Sequence, residues 1–257
     1  NFRIYKDNFP NAYVTEDNTI YLSTGLLSYS PNYVSLLGVL AHEIGHLEKY
    51  HISKRKIEIK NLTNISSYGN LAAVVGSMII QEPSILNAIV VNQTTVNNLF
   101  INFSQDQEIE ADFYAIETIN KLNLPTNPIK EFLLILEKKT GANLMDEELK
   151  KFSTHPIFEK RYEIINDNRN ENFSNFNTFY QREFEFIQAK FMAYTDSGMI
   201  NKLKNDQKIY YESIQLSKSG NLLESLKKLN FLISKNKNDF FMVETKADIL
   251  LSYGYNK

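Results

Sequence analysis

The sequence predicts a mainly α fold with a small N-terminal β-sheet, an α+β arrangement. Three observations carry this. Short runs of β-branched and aromatic residues flank an Asp-Asn turn near the start. Four longer stretches place apolar residues at helical spacing between capping and breaking residues. Near the end, a helix–turn–helix pattern recurs after 34 residues. A chain of 257 residues has room for one large domain and one small one.

The elements follow in order. "AYVT" (12–15) and "IYLST" (20–24) enclose "EDNT", which reads as a hairpin. "TGLL" then leads to "SYSPN", where Ser30 suits an N-cap and Pro31 the first helical position. From Tyr33 to about Ile59 the apolar spacing is helical, through Val34, Leu37 and Ala41 to Leu47. A second helix spans "FSQDQEIEADFYAIETINKLNLP" (103–125), with Ser104 and Gln107 as a capping box and Pro125 past its end. A third opens at Asn127 and Pro128 and closes at Gly141; a fourth begins with "HPIFEKRYEIIND" (155–167).

After about residue 200 the character changes. Gly220 and Gly254 have matching surroundings, with Ser213 over Ala247 and Leu216 over Leu250, and an amphipathic helix lies between them. This period resembles a tetratricopeptide repeat, although the early aromatic and the closing Pro are missing; Lys237 stands where that Pro would fall. A chance helical pair is the competing reading. If the repeat is real, its second copy lacks a second helix, and the chain is expected to continue past Lys257. The abrupt start likewise suggests a processed or trimmed chain.

Composition narrows the function. Hydrophobic residues make up 43% and charged ones 23%, a globular balance. A net charge of −2 supplies no basic field for nucleic acid. With no cysteine, thiol catalysis, disulfides and thiolate metal sites are all excluded. No apolar run reaches the ~18–20 residues a membrane span needs. The nearest, "LAAVVGSMII" (71–80), reads either as a buried helix with a loop or as a flap near the site making peripheral membrane contact.

The chemistry lies in "AHEIGHLEKYH" (41–51). His42 and His46 are four apart, so on a helix both imidazoles leave the same face. With Glu43 between them this is the H-E-x-x-H arrangement: two neutral imidazoles for zinc and a carboxylate as general base. His51 falls at the wrong helical angle and reads as a surface or capping histidine. Nor does the chain offer a Glu about twenty residues downstream, for none lies between Glu58 and Glu82. "EIEAD" (108–112) does place Glu108 and Asp112 on one helix face, one carboxylate for the metal and one to orient a ligating histidine; Glu110 points elsewhere and reads as solvated.

HEIGH followed some sixty residues later by E-x-x-A-D resembles the zinc metallopeptidase family that includes HtpX and the CAAX prenyl proteases. The hairpin ending in "TGLL" and the "THPIFEKR" stretch, Thr154 to Arg161, appear in the family's order, and the likeness covers roughly residues 1–168. The resemblance implies a zincin-like metalloprotease domain over residues 1–200 and the start of a tetratricopeptide-like region over 201–257. It implies one Zn2+ held by His42, His46 and Glu108, with Glu43 as base and Asp112 behind the ligands. His155 is then a fourth ligand that displaces catalytic water, or a transition-state donor once it swings away; its plain alternative is a helix-start histidine before Pro156. Arg161 anchors that segment or meets an acidic neighbour.

Without spans, the chain looks most like the exported, soluble branch of that family. The resemblance implies a periplasmic endopeptidase acting on misassembled outer-membrane proteins, with the repeat region docking their assembly machinery. Substrate would join an edge of the N-terminal sheet as an extended strand, and loops such as "NQTTVNN" would cover the cleft. Two rivals remain: a chaperone or adaptor whose zinc site is closed by His155, and the soluble part of a membrane-embedded prenyl-type protease.

Overall fold

The computed structural model describes residues 1–55, 57, 105–143, 155, 159–171, 175–195, 200–235 and 239–255. The N-terminal sheet has strands β1 (Phe2–Tyr5), β2 (Ala12–Val14) and β3 (Ile20–Ser23) in the order β1-β3-β2. β2 and β3 form the expected hairpin. Asn18 turns it with a φ of 58°, and Thr15 closes it by donating its N–H to the Thr19 carbonyl at 3.0 Å. Asn tolerates this left-handed conformation better than most residues. β1 was not foreseen. Its Phe2 and Ile4 are exposed, so it is held by backbone pairing rather than by the buried alternation that makes a strand legible.

The chain divides into two compact units. One comprises residues 1–3, 12–21 and 34–176, the other residues 4–11, 22–33 and 177–257.

In the first unit, α2 (Tyr33–Glu48) follows a short helix that belongs to the second. α3 (Gln105–Lys121), α4 (Asn127–Asn143) and α5 (Glu159–Asp167) complete its described helices. α5 packs on both α3 and α4. Their inward faces bury Ala111, Ala115, Ile116, Ile119, Phe132, Leu133, Ile164 and Ile165, each large aliphatic side chain contributing on the order of 1.5–3 kcal/mol. α2 approaches α3 closely at Gly45, where an added Cβ would lie 3.1 Å from the Ala111 Cα and 3.2 Å from its carbonyl oxygen. The sequence expectation of one helix from Tyr33 to about Ile59 is corrected here. α2 ends at Glu48, Tyr50 takes a φ of 57°, and a new helical turn starts at His51, its first bond running from the Lys54 N–H to the Tyr50 carbonyl. The capping box expected to open α3 rests on Ser104, which lies outside the described residues.

The second unit begins with α1 (Thr24–Tyr29), capped by Ser23, whose Oγ accepts from the Leu26 N–H at 2.9 Å and donates to the Phe9 carbonyl at 2.7 Å. Ser30 closes α1 instead of opening α2, a correction to the expected N-cap. α6 (Thr178–Thr195) lies on α1, with Gln188 Nε2 donating to the Leu27 and Ser30 carbonyls at 2.7 and 2.8 Å. After one 3-10 turn come α7 (Asn205–Lys218), α8 (Leu222–Lys235) and α9 (Phe240–Ser252). Asp206 meets Lys235 and Glu212 meets Lys228, so α7 and α8 run antiparallel. Tyr210 meets Thr245 and Ser217 meets Tyr253, so α9 runs parallel to α7. Phe186, Tyr210, Ile214, Leu229, Leu232, Met242 and Ile249 share one apolar core.

α7 and α9 end alike. The N–H groups of Gly220 (φ 86°) and Gly254 (φ 83°) donate three residues back, to the Ser217 and Leu251 carbonyls. The following Asn221 and Tyr255 N–H groups reach the Leu216 and Leu250 carbonyls. Both are Schellman closures, which need a residue at ease with positive φ. The equivalence stops at burial: Ser213 is buried while Ala247 is exposed. Among the described residues no helix is long and apolar enough to cross a membrane.

Candidate metal centre

α2 carries His42, Glu43 and His46 on adjacent turns, and α3 presents Glu108 and Asp112 to them across the Gly45 contact. His155, ahead of α5, and Arg161, in the first turn of α5, complete the group. Ligand atoms of His42, His46, Glu108 and His155 all lie within 4.8 Å of one another. The two Nε2 atoms of His42 and His46 are 3.0 Å apart. Each is 3.3 Å from a Glu108 carboxylate oxygen. His155 Nδ1 lies 3.0 Å from Glu108 Oε1 and 3.3 Å from His42 Nε2. Four atoms placed tetrahedrally at zinc's ~2.0–2.1 Å would stand about 3.3–3.4 Å apart. The donor set therefore fits a small tetrahedral cation, and its three imidazoles and one carboxylate are chemically suited to zinc.

Glu43 is fully enclosed. Its Oε1 sits 3.2 Å from His155 Nε2, and its buried Oε2 has no hydrogen-bond partner. A buried carboxylate oxygen left unsatisfied is costly. Through Oε1 this carboxylate borders the cluster of ligand atoms, where it is positioned to take a proton from something held there.

Behind the cluster, His42 Nδ1 donates to Asp112 Oδ1 at 2.8 Å, and in the neutral ring, the form that binds a metal, this leaves the Nε2 lone pair facing the other ligand atoms. Arg161 Nε and Nη2 fork onto Asp112 at 2.6 and 2.8 Å, and its Nη1 reaches Glu108 Oε2 at 2.9 Å. These charges govern one another. Burial opposes the charge on His42, but the Glu108 and Asp112 carboxylates overcome it and raise its pKa to about 9. Burial pushes His46 down to about 2. Burial would raise Glu108 and Asp112, yet nearby His155, Arg161 and His42 hold Glu108 well below the carboxylate range. Arg161 and His42 also lower Asp112. Burial likewise opposes the Arg161 charge, which those two carboxylates sustain.

His51 is not the surface or capping histidine that helical geometry suggested. It is fully buried; its Nδ1 lies 2.9 Å from His46 Nδ1 and its Nε2 lies 3.0 Å from Glu110 Oε2. The break at Tyr50 resets the angular phase, so counting 100° per residue from His46 misplaces it. Neither Gly, Pro nor Asn marks that break, so the sequence carried no signal for it. Glu110 is half exposed but paired, not merely solvated. Burial lowers the pKa of His51, outweighing the pull of Glu110. The flap at 71–80, "NQTTVNN", Thr154 and Pro156 lie outside the described residues.

The comparisons with known proteins fall on this same part of the chain. The model of Peptidase family M48 matches residues 2–169, the stretch that holds the whole cluster, and the chain belongs to that family. Among curated relatives, the beta-barrel assembly-enhancing protease of Yersinia pestis is 24% identical over 169 residues, covering 66% of this chain and 34% of the relative. A putative beta-barrel assembly-enhancing protease of Vibrio cholerae is 26% identical over 171 residues, covering 65% and 34%. The beta-barrel assembly-enhancing protease of Escherichia coli K12 is 24% identical over 151 residues, covering 59% and 30%. The matched part spans about a third of the length of these relatives.

Proposed function

We propose that this chain is a zinc-dependent endopeptidase in which His42, His46 and Glu108 hold one zinc ion and Glu43 is the general base. The observation that carries the reading is the convergence of His42, His46, Glu108 and His155 on one point, with the partnerless Glu43 Oε2 beside it. When bound there, zinc supplies a Lewis acid and brings the pKa of water down to ~7. Glu43 takes the proton of the attacking water and delivers it to the departing amine nitrogen. Asp112 keeps the His42 ring in the tautomer that exposes Nε2, and Arg161 holds Asp112 and Glu108 ionised. Substrate is taken as an extended strand along an edge of the N-terminal sheet. Glu43→Gln should abolish cleavage of an unfolded protein while leaving zinc content and unfolding temperature near wild type. Cleavage persisting in that variant would remove Glu43 from the role.

His155 favours a second reading. Catalytic zinc sites keep one position open, and closed four-ligand sites are structural. His155 Nδ1, 3.3 Å from His42 Nε2 and 3.0 Å from Glu108 Oε1, would fill that position as a fourth ligand. In this reading the site is closed and largely inactive, and the chain acts as a chaperone or adaptor until His155 withdraws. His155→Ala should then raise proteolysis several-fold. If His155 instead donates to the transition state, the same change lowers it.

The names of the relatives support, as a proposal, a periplasmic role on misassembled outer-membrane proteins. The helices after residue 200, read as the start of a tetratricopeptide-like region, would dock the assembly machinery. Faster cleavage of an unfolded β-barrel protein than of an unfolded soluble one would support that substrate class, and equal rates would count against it.

A further inference from the structure

We infer that His51 and Glu110 form a positioning relay that fixes the His46 ring for metal binding, through the contacts Glu110 Oε2···Nε2 His51 (3.0 Å) and His51 Nδ1···Nδ1 His46 (2.9 Å). The inference rests on the proposed zinc site and adds two residues to it. The proton placement follows from donor chemistry. A carboxylate only accepts, so His51 Nε2 carries a hydrogen and donates to Glu110. The neutral His51 ring then has its lone pair on Nδ1, where it faces His46. His46 Nδ1 therefore carries the hydrogen, and its lone pair is on Nε2, the atom 3.3 Å from Glu108 Oε1 and 3.0 Å from His42 Nε2. Which nitrogen of a histidine can meet a metal is set by what the other nitrogen touches.

The arrangement parallels the one on the first histidine. Asp112 accepts the hydrogen bond from His42 Nδ1 directly. On His46 the carboxylate stands one ring further away, with His51 bridging the gap. Both ligands of the pair are thus locked in the same tautomer by a carboxylate, one backed by Arg161 and the other reaching the surface at Glu110. The local backbone serves the same end. Tyr50 adopts a φ of 57°, costly for a large side chain, while that side chain is itself mostly exposed. What the turn at Tyr50 secures is the return of the next residue, His51, to the interior against His46.

The test uses two polar replacements in the full chain. His51→Asn keeps an acceptor near the Nδ1 position and can still receive the His46 proton. His51→Gln keeps a group near the Nε2 position, facing Glu110, and loses that acceptor. Zinc dissociation constants from chelator competition should show Asn within a few-fold of wild type and Gln weakened about 10- to 100-fold. The visible spectrum of the cobalt-substituted protein should stay wild-type in Asn and change in Gln. Equal affinities and spectra for the two variants would reduce His51 to packing and overturn the relay. A wild-type chain that binds no zinc would instead sink the metal site on which the relay stands.

Discussion

Arg161 is 3% exposed, and its charge survives there because Asp112 and Glu108 face it from two sides. Removing one member of a buried ion cluster leaves the others uncompensated, which typically costs about 3–5 kcal/mol. Arg161→Met should therefore lower urea-measured stability by about that much and weaken zinc binding, although Arg161 offers no ligand atom. A stability within ~1 kcal/mol of wild type would mean that solvent screens the cluster. At this scale the sequence was informative wherever local geometry suffices. His42 with His46, and Glu108 with Asp112, are one helical turn apart, and that spacing alone puts each pair on one face. It was silent where one residue departs from the regular helix. Tyr50 breaks the phase, so His51 and Glu110 could not be read, and the pairing of Arg161 with Asp112 depends on a tertiary contact across 49 residues.

Among the elements, the turn between Glu48 and His51 returns the chain so that His51 lies against His46. Pro is locked near a φ of −65° and has no N–H, whereas Tyr50 sits at 57° and donates to the Leu47 carbonyl at 3.0 Å. Tyr50→Pro should displace His51 and lower zinc affinity without touching a ligand; unchanged affinity would show that the turn is dispensable. The second unit offers a cleaner backbone experiment. An added Cβ at Gly220 would meet nothing within 4 Å, so only its φ of 86° resists a side chain. Gly220→Ala should cost about 1–2 kcal/mol in urea unfolding, from the left-handed conformation alone. The two Schellman glycines, 34 residues apart in the sequence, were the legible sign of these helix ends. β1 was illegible because its side chains face solvent on both sides of the pleat.

Over the whole molecule, the Peptidase family M48 match and the ligand cluster occupy the same stretch, residues 2–169. The helices that follow have their own apolar core, built around Tyr210 and Leu229. The mainly α architecture with a small N-terminal sheet was legible from periodicity and turn residues. The distant partners of the site were legible only through the order of four family motifs, since nothing local in "EIEAD" says that it faces "HEIGH". The central claim is that these separated residues meet on one metal ion. The direct measurement is a crystal structure of the zinc-loaded chain, with anomalous scattering collected at the zinc edge. The account predicts one peak per chain, bonded to His42 Nε2, His46 Nε2 and a Glu108 oxygen at about 2.0–2.2 Å. A peak elsewhere, or one that Glu108 does not reach, would contradict it.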